Sequence, residues 1–123
     1  MQVILGAGGA IGKNLATELK KYTKNVRLTG RNPQKVNDDD ELIICDLTNS
    51  TMVEKAINGA KVAYLTAGLK YSIKVWEKQW PLIMQNVISA CKKNKTRLVF
   101  FDNIYMYNQK KLSPMPEETE ILP

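Results

Sequence analysis

Two rhythms of apolar and polar positions alternate along this chain. Five short stretches have the length and apolar content of strands: Gln2 to Leu5, Val26 to Thr29, Leu42 to Cys45, Lys61 to Thr66 and Arg97 to Phe101. Between them, apolar residues recur every three or four positions. Ile11, Leu15, Ala16 and Leu19 predict a helix from near Ala10 to about Tyr22. Thr48 to Ser50 offers a cap for a helix from about Thr51 to Asn58, which Gly59 stops. Trp76, Trp80, Ile83, Val87, Ala90 and Cys91 share one face of a longer helix, and their bulk reads as packing surface. Pro81 lies inside that pattern and is expected to start or kink the main helix there. Strands and helices therefore alternate, as they do around a parallel α/β sheet.

The breaks in the pattern are as regular as the elements. Gly30-Arg31-Asn32-Pro33 interrupts the chain after the second strand. Asn37 to Glu41 is a polar connector. Its acids Asp38, Asp39, Asp40 and Glu41 are consecutive, so their side chains diverge, and they read as a solvated loop rather than a metal cluster. From Ser113 onward the chain is rich in Pro and Glu. This divides it into a domain over 1–112 and a tail over 113–123, with no internal repeat and no linker between domains.

Composition narrows the chemistry. A chain of 123 residues, 44% hydrophobic and 24% charged, can bury one core. No apolar run is long enough to cross a membrane. The first apolar stretch is too short for a signal sequence and has no basic residues before it, so a cytoplasmic protein is expected. There is no histidine, which excludes histidine catalysis and His-ligated metals. Cys45 and Cys91 lie far apart without metal-ligand spacing and read as small buried hydrophobes. The net charge of +6 comes from lysines that are scattered or near predicted helix ends, such as Lys20, Lys21, Lys24, Lys92, Lys93 and Lys95. Cations there complement the helix dipole. They describe a solvated basic face with one anion site, not a nucleic-acid surface.

The candidate anion site lies at the start of the chain. The first strand runs into Gly6-Ala7-Gly8-Gly9-Ala10-Ile11-Gly12, and a helix follows. Glycines let the backbone turn tightly and let phosphates approach without a Cβ in the way. The helix start offers free N–H groups and the positive end of a dipole. A nucleoside-triphosphate loop would need Gly, four residues, then Gly-Lys-Ser/Thr. Gly12-Lys13 fits the end of that pattern, but Ala7 stands where its first Gly belongs and Asn14 replaces the hydroxyl. The spacing Gly6, Gly9, Gly12 is complete and suits a dinucleotide pyrophosphate.

Gly6-x-x-Gly9-x-x-Gly12 resembles the turn of the short-chain dehydrogenase/reductase superfamily, in particular its extended and atypical NAD-dependent epimerase/dehydratase branch. Val26 to Pro33 is similar to the segment that meets the adenosine ribose. Cys45-Asp46-Leu47-Thr48 looks like the strand-ending Asp that contacts the adenine amino group. Tyr64-Leu65-Thr66-Ala67-Gly68 is similar to the segment along the ribose and nicotinamide, and Leu98 to Tyr107 to the fifth strand and its turn. The resemblance spans nearly the whole chain, yet only the cofactor-binding half of such an enzyme. It implies a Rossmann-like three-layer sandwich, a parallel sheet of about five strands in order 3-2-1-4-5. It also implies cofactor contacts from Gly6, Gly8, Gly9, Ala10, Ile11, Gly12, Arg31, Asp46, Leu47, Thr66, Ala67 and Gly68. A carboxylate after the second strand would hold a ribose 2′-hydroxyl and repel a 2′-phosphate, whereas an arginine pairs with the phosphate. This chain has Arg31 and no acid between Asn25 and Asn37, which favours NADP over NAD.

The catalytic half departs from the family. Its members carry Ser or Thr after the fifth strand, where Asn103 is the nearest equivalent here. They then carry Tyr-x-x-x-Lys on a helix, in which the lysine lowers the tyrosine pKa for proton transfer. Tyr107 and Lys111 match formally, but Ser113-Pro114 cuts off a helix there. The family's own pair would follow a segment like Pro116 to Pro123, where this sequence stops. The expectation is the NADP(H)-binding portion of an epimerase/dehydratase-like oxidoreductase, truncated before its catalytic helix and inactive alone. The alternative is a non-catalytic NADP(H)-sensing module. The apolar strand at Leu98 to Phe101 and the tryptophan-bearing helix leave surfaces that suit a homo-oligomer.

Overall fold

The structure, a computed structural model, describes residues 1–67 and 77–101 in full and the helical backbone of 73–76. In chain order the elements are β1 (Gln2–Leu5), α1 (Ala10–Leu19), β2 (Val26–Gly30), β3 (Glu41–Ile44), α2 (Ser50–Ile57), β4 (Val62–Leu65), α3 (Ile73–Asn94) and β5 (Arg97–Phe100). The five strands form one sheet in the order β3-β2-β1-β4-β5, and every neighbouring pair is parallel. The fold is Rossmann-like, as the alternating pattern and the resemblance implied.

Strand periodicity of two decides which side chain enters which layer. Val3 and Leu5 of β1 join Ala63 and Leu65 of β4 on one face, under Val53 and Ile57 of α2 and Ile83 and Val87 of α3. Ile4 points the other way, to Val26 and Leu28 of β2 and to Ala16 and Leu19 of α1. Leu5, Leu65 and Ile57 are completely buried, so truncating any of them to Ala is expected to cost about 2–5 kcal/mol. Cys45 and Cys91 are free and buried within the larger cluster.

Several local expectations need correction. Helix α1 ends at Leu19, not near Tyr22. Its apolar repeat stops there, and Tyr22 is 80% exposed, with nothing to bury. Helix α3 does not start at Pro81 but runs through it from Ile73. Pro81 lies on the exposed side of the helix, so the carbonyl one turn back that loses its N–H partner is open to water. Helix α2 is capped by Asn49, and Gly59 follows it at φ +82°, the left-handed conformation that ends helices.

The acidic connector also departs from expectation. Asp40 is buried, and its carboxylate accepts from the N–H groups of Val36 and Asn37 at 3.0 and 2.6 Å and from Asn37 Nδ2 at 3.1 Å. Asp39 pairs with Lys20 at 2.7 Å, and Glu41 begins β3 and pairs with Arg27 at 2.9 Å. The consecutive acids do diverge, but each meets a different partner. Arg27 also donates through Nη1 to the carbonyls of Ala56 and Asn58 at 2.7 and 2.8 Å, closing the C-terminal end of α2. Among the described residues no group of His, Cys, Asp and Glu could hold a metal ion, and no helix is long and apolar enough to cross a membrane.

The expected fifth strand is also thinner than its apolar sequence suggested. Leu98 and Val99 are half-buried, while Phe100 and Phe101 stay exposed. Trp80 meets Phe100 edge-on, with ring centroids 6.0 Å apart. The tail over 113–123 lies outside the described residues.

Candidate functional site

A parallel sheet brings the loops after its strands together along one edge, and the strand order puts those after β1, β2, β3 and β4 side by side. They enclose a cleft of about 660 Å³. Gly6, Gly8 and Gly9 line it from the first loop, and Gly30 to Pro33 from the second. Cys45 to Thr48 line it from the third and Ala67 from the fourth, while α3 contributes Gln79 and Ile83.

The three glycines of the spaced motif do different work. Gly6 has φ +83°, and a Cβ there would lie 2.5 Å from the Ala67 Cα, so no side chain fits. Gly12 is buried in the first turn of α1, where a Cβ would lie 2.7 Å from the Ala7 carbonyl oxygen. It lets the helix pack onto the turn and does not line the cleft. Gly8 and Gly9 are the reverse, since a Cβ on either would meet nothing within 4 Å. Their surface is the open floor of the cleft.

Helix α1 begins at that floor without a cap. Gly9 has extended backbone and no side chain, and no acid stands in the first turn. The first helical bond runs from Lys13 N–H to the Gly9 carbonyl at 3.0 Å. The N–H groups of Ala10, Ile11 and Gly12 therefore have no acceptor within the helix. Ala10 and Ile11 are exposed beside the cleft rather than lining it.

The far wall carries the charge. Arg31 is exposed on the loop after β2, and Asp46 follows β3. Thr48 donates to Asp46 Oδ1 through its N–H at 3.0 Å and its hydroxyl at 2.7 Å. These bonds, first the backbone one, hold the Asp46 carboxyl below its usual range against a small opposing cost of burial, and the Arg31 charge adds to them. Next to it, burial pushes the Cys45 thiol up to about 11, with the Asp46 charge adding to the effect, so this sulfur is protonated and unreactive at neutral pH. Asn86 of α3 donates through Nδ2 to the Leu47 carbonyl at 3.0 Å and ties this wall to the helix behind it.

An open glycine floor, free N–H groups at a helix start and an arginine across the cleft fit a phosphate-bearing ligand. Residues 6–121 match the family described as NAD(P)H-binding. The chain belongs to that family. No curated protein matches it.

Solved structures similar to this NAD(P)H-binding chain agree in fold. UDP-N-acetylglucosamine 4-epimerase from Bacillus cereus superposes with a TM-score of 0.80 at 18% identity, covering 99% of this chain and 42% of the epimerase. The Bordetella bronchiseptica enzyme WbmG, solved with NAD and UDP, gives 0.79 at 18% identity over 99% of this chain and 43% of its own. Uronate dehydrogenase from Agrobacterium tumefaciens gives 0.78 at 18% identity over 86% and 41%. The chain thus spans about two fifths of the length of these structures.

Of the residues singled out from sequence, Gly6, Gly8, Gly9, Arg31, Asp46, Leu47 and Ala67 come together around the cleft. Thr66 does not line it. Its hydroxyl lies 3.3 Å from the Leu5 carbonyl and 3.1 Å from that of Gly6. Gly68, Asn103, Tyr107 and Lys111 lie outside the described residues, as does the side chain of Trp76. Sequence reasoning missed Gln79 on the cleft wall and Asn86 behind it, and it included Asn32, Pro33 and Thr48 only within longer segments. Gln79 is one polar position in a helical repeat, and only the packing of α3 brings it to the cleft. Thr48 was legible, because a hydroxyl two residues after an Asp is a common turn partner.

Proposed function

We propose that this chain binds NADP(H) in preference to NAD(H) as the cofactor-binding portion of an epimerase/dehydratase-like oxidoreductase. The observation that carries the preference is Arg31. It is the one cation among the described residues lining the cleft, and it stands directly after β2. The open cradle over Gly8 and Gly9 supports a pyrophosphate there, beside the exposed helix start at Ala10 and Ile11. Asp46 and Leu47 suit the adenine, and the segment through Ala67 and Gly68 suits the ribose and nicotinamide. When bound, the nicotinamide supplies a hydride donor or acceptor. The chain's own residues hold the phosphates and orient the adenosine.

A charge-assisted pair between Arg31 and a 2′-phosphate contributes about 1.5–3 kcal/mol, on the order of ten- to a hundredfold in affinity. Calorimetry on the wild type and on Arg31→Asp measures it, and the variant is expected to lose the preference. Equal affinity of the wild type for both cofactors would sink the NADP assignment, and no binding of either would sink the dinucleotide reading. In the same samples, polypeptide 1–123 is expected to show no hydride transfer with nucleotide-sugar or carbonyl substrates. It carries no Tyr-x-x-x-Lys pair on a sequence that favours a helix.

We also read the chain as a homo-oligomer. Leu82 and Ile88 on the outer face of α3 are 41% and 40% exposed, and Phe100 and Phe101 at the end of β5 are 39% and 43% exposed. Light scattering coupled to gel filtration at micromolar concentration is expected to report a dimer or larger. A stable monomer would show that these surfaces need no second copy.

A further inference from the structure

The segment that sets up the cradle is one peptide unit, the carbonyl of Gly6 joined to the N–H of Ala7. It is gripped at both ends. On the β2 side, the Thr29 carbonyl accepts from Ala7 N–H at 2.9 Å and from Gly6 N–H at 3.1 Å. The buried Thr29 hydroxyl donates to the Ile4 carbonyl at 3.0 Å. On the β4 side, Thr66 N–H donates to the Leu5 carbonyl at 3.0 Å. Its hydroxyl then reaches the carbonyls of Leu5 and Gly6, at 3.3 and 3.1 Å. Among the described residues, that hydroxyl is the side-chain partner of the Gly6 carbonyl, and no backbone donor reaches it.

Gly6 at φ +83° has no Cβ to restrict its backbone, so its peptide plane is free to rotate unless something holds it. Turning that plane would swing the Ala7 N–H off Thr29 and redirect Gly8 and Gly9, whose surface is the cleft floor. Ala67, packed directly beneath Gly6, blocks part of that movement, and the Thr66 hydroxyl fixes the rest. Thr29 of β2 and Thr66 just after β4 thus bond to the chain from Ile4 to Ala7. The N–H groups of Ala10 and Ile11, at the exposed start of α1, stay free for a ligand.

We infer that Thr66 is a positioning residue: its hydroxyl locks the Gly6–Ala7 peptide so that the glycine turn is shaped for a pyrophosphate before any ligand arrives. This rests on the dinucleotide reading above. Donors fixed in advance lose less freedom on binding, so the lock acts on affinity more than on stability. Thr66→Val keeps the shape and removes the donor, and Thr66→Ser keeps the donor and removes a methyl.

The experiment is NADPH titration of the wild type, Thr66→Val and Thr66→Ser, with thermal melts and amide exchange on each. Thr66→Val is expected to bind about five- to tenfold more weakly, as for the loss of one hydrogen bond. Exchange at Ala7, whose N–H is bonded to the Thr29 carbonyl, is expected to quicken in Thr66→Val and not in Thr66→Ser, whose affinity stays near wild type. A Thr66→Val protein that melts earlier yet binds as the wild type would overturn the inference, leaving the hydroxyl a structural bond only. A Thr66→Ser protein as weak as Thr66→Val would also overturn it. Failure of the wild type to bind NADPH or NADH would overturn both this and the function it rests on. Loss of binding in Gly9→Asp with unchanged binding in Thr66→Val would spare the site and remove the lock.

Discussion

Helices α1 and α2 begin at the same edge of the sheet, one loop after β1 and one after β3, and they begin in opposite ways. At α2, Asn49 caps the helix, and its side-chain oxygen accepts from Met52 N–H at 3.1 Å. Just before it, Asp46 and Thr48 bond to each other through both backbone and side chain. At α1, Gly9 supplies no cap, and no other side chain replaces it. Neither helix has an acid in its first turn. One helix start closes on itself and is stable alone. The other leaves uncapped donors and a positive dipole end open beside glycines that occupy no space. The first is the ordinary solution for a helix end, and the second suits an end that receives an anion from outside.

The strongest way to break this contrast is to make α1 begin as α2 does. Gly9 has extended backbone with room for a side chain, so Gly9→Asp inserts a cap without strain. Stability is expected to rise by a few tenths to about 1 kcal/mol, from the cap and from a negative charge at the helix start. Dinucleotide affinity is expected to fall about a hundredfold or more, because the carboxylate takes the donors and repels the phosphates. Thermal melts and calorimetry on one preparation read both signs. Affinity within threefold of wild type would mean the phosphates lie elsewhere.

The converse change makes α2 begin as α1 does. Asn49→Ala opens the α2 start and is expected to cost about 1 kcal/mol of stability. Dinucleotide affinity is expected to change by less than about twofold, since Asn49 is not among the cleft-lining residues. A lowered melting temperature with unchanged affinity supports the division of labour. A comparable loss of affinity would mean the β3–α2 loop is held in place by its cap.

Sequence made the contrast only half legible. The glycine spacing and the strand-to-helix order marked the α1 start, because glycine in a turn before a helix has few other physical reasons. Arg31 was legible as a charge standing where the chain carries no acid. The α2 cap could be placed only within Thr48 to Ser50, since Asn49 and its polar neighbours are all plausible cap residues. Asp40 and the helix start expected at Pro81 were misread for one shared reason. Local rules describe an acid in an acidic run or a proline in a helix, while the outcome depends on what packs nearby. Asp40 finds three N–H donors, and Pro81 faces water. Gln79 and Asn86 reach the cleft walls only through the packing of α3, which no local pattern records.

The smallest expected effect separates the two helix starts by pH. Asp46 holds Thr48 through a charged carboxylate, and its pKa in the folded protein lies below the ordinary Asp value of 3.8, first because of the Thr48 backbone bond. A carboxyl with a depressed folded pKa contributes stability that is fully present above the unfolded value. That contribution is lost as pH falls through the folded value. The Asp46–Thr48 turn is therefore expected to stay intact from neutral pH to about pH 4 and to loosen below it. Asp46 is close to solvent, so screening keeps the effect on global stability small, and a local probe is the right one. The Thr48 amide resonance is expected to titrate below pH 3.8 in the wild type and to lose that step in Asp46→Asn. The amides of Gly9 and Ala10 have no carboxylate partner and are expected to show no matching step. A Thr48 step at or above the ordinary Asp value would mean the hydrogen bonds do not favour the charged form. A matching step at Gly9 would mean the two helix starts are coupled, and the contrast between a closed end and an open one would no longer describe two independent sites.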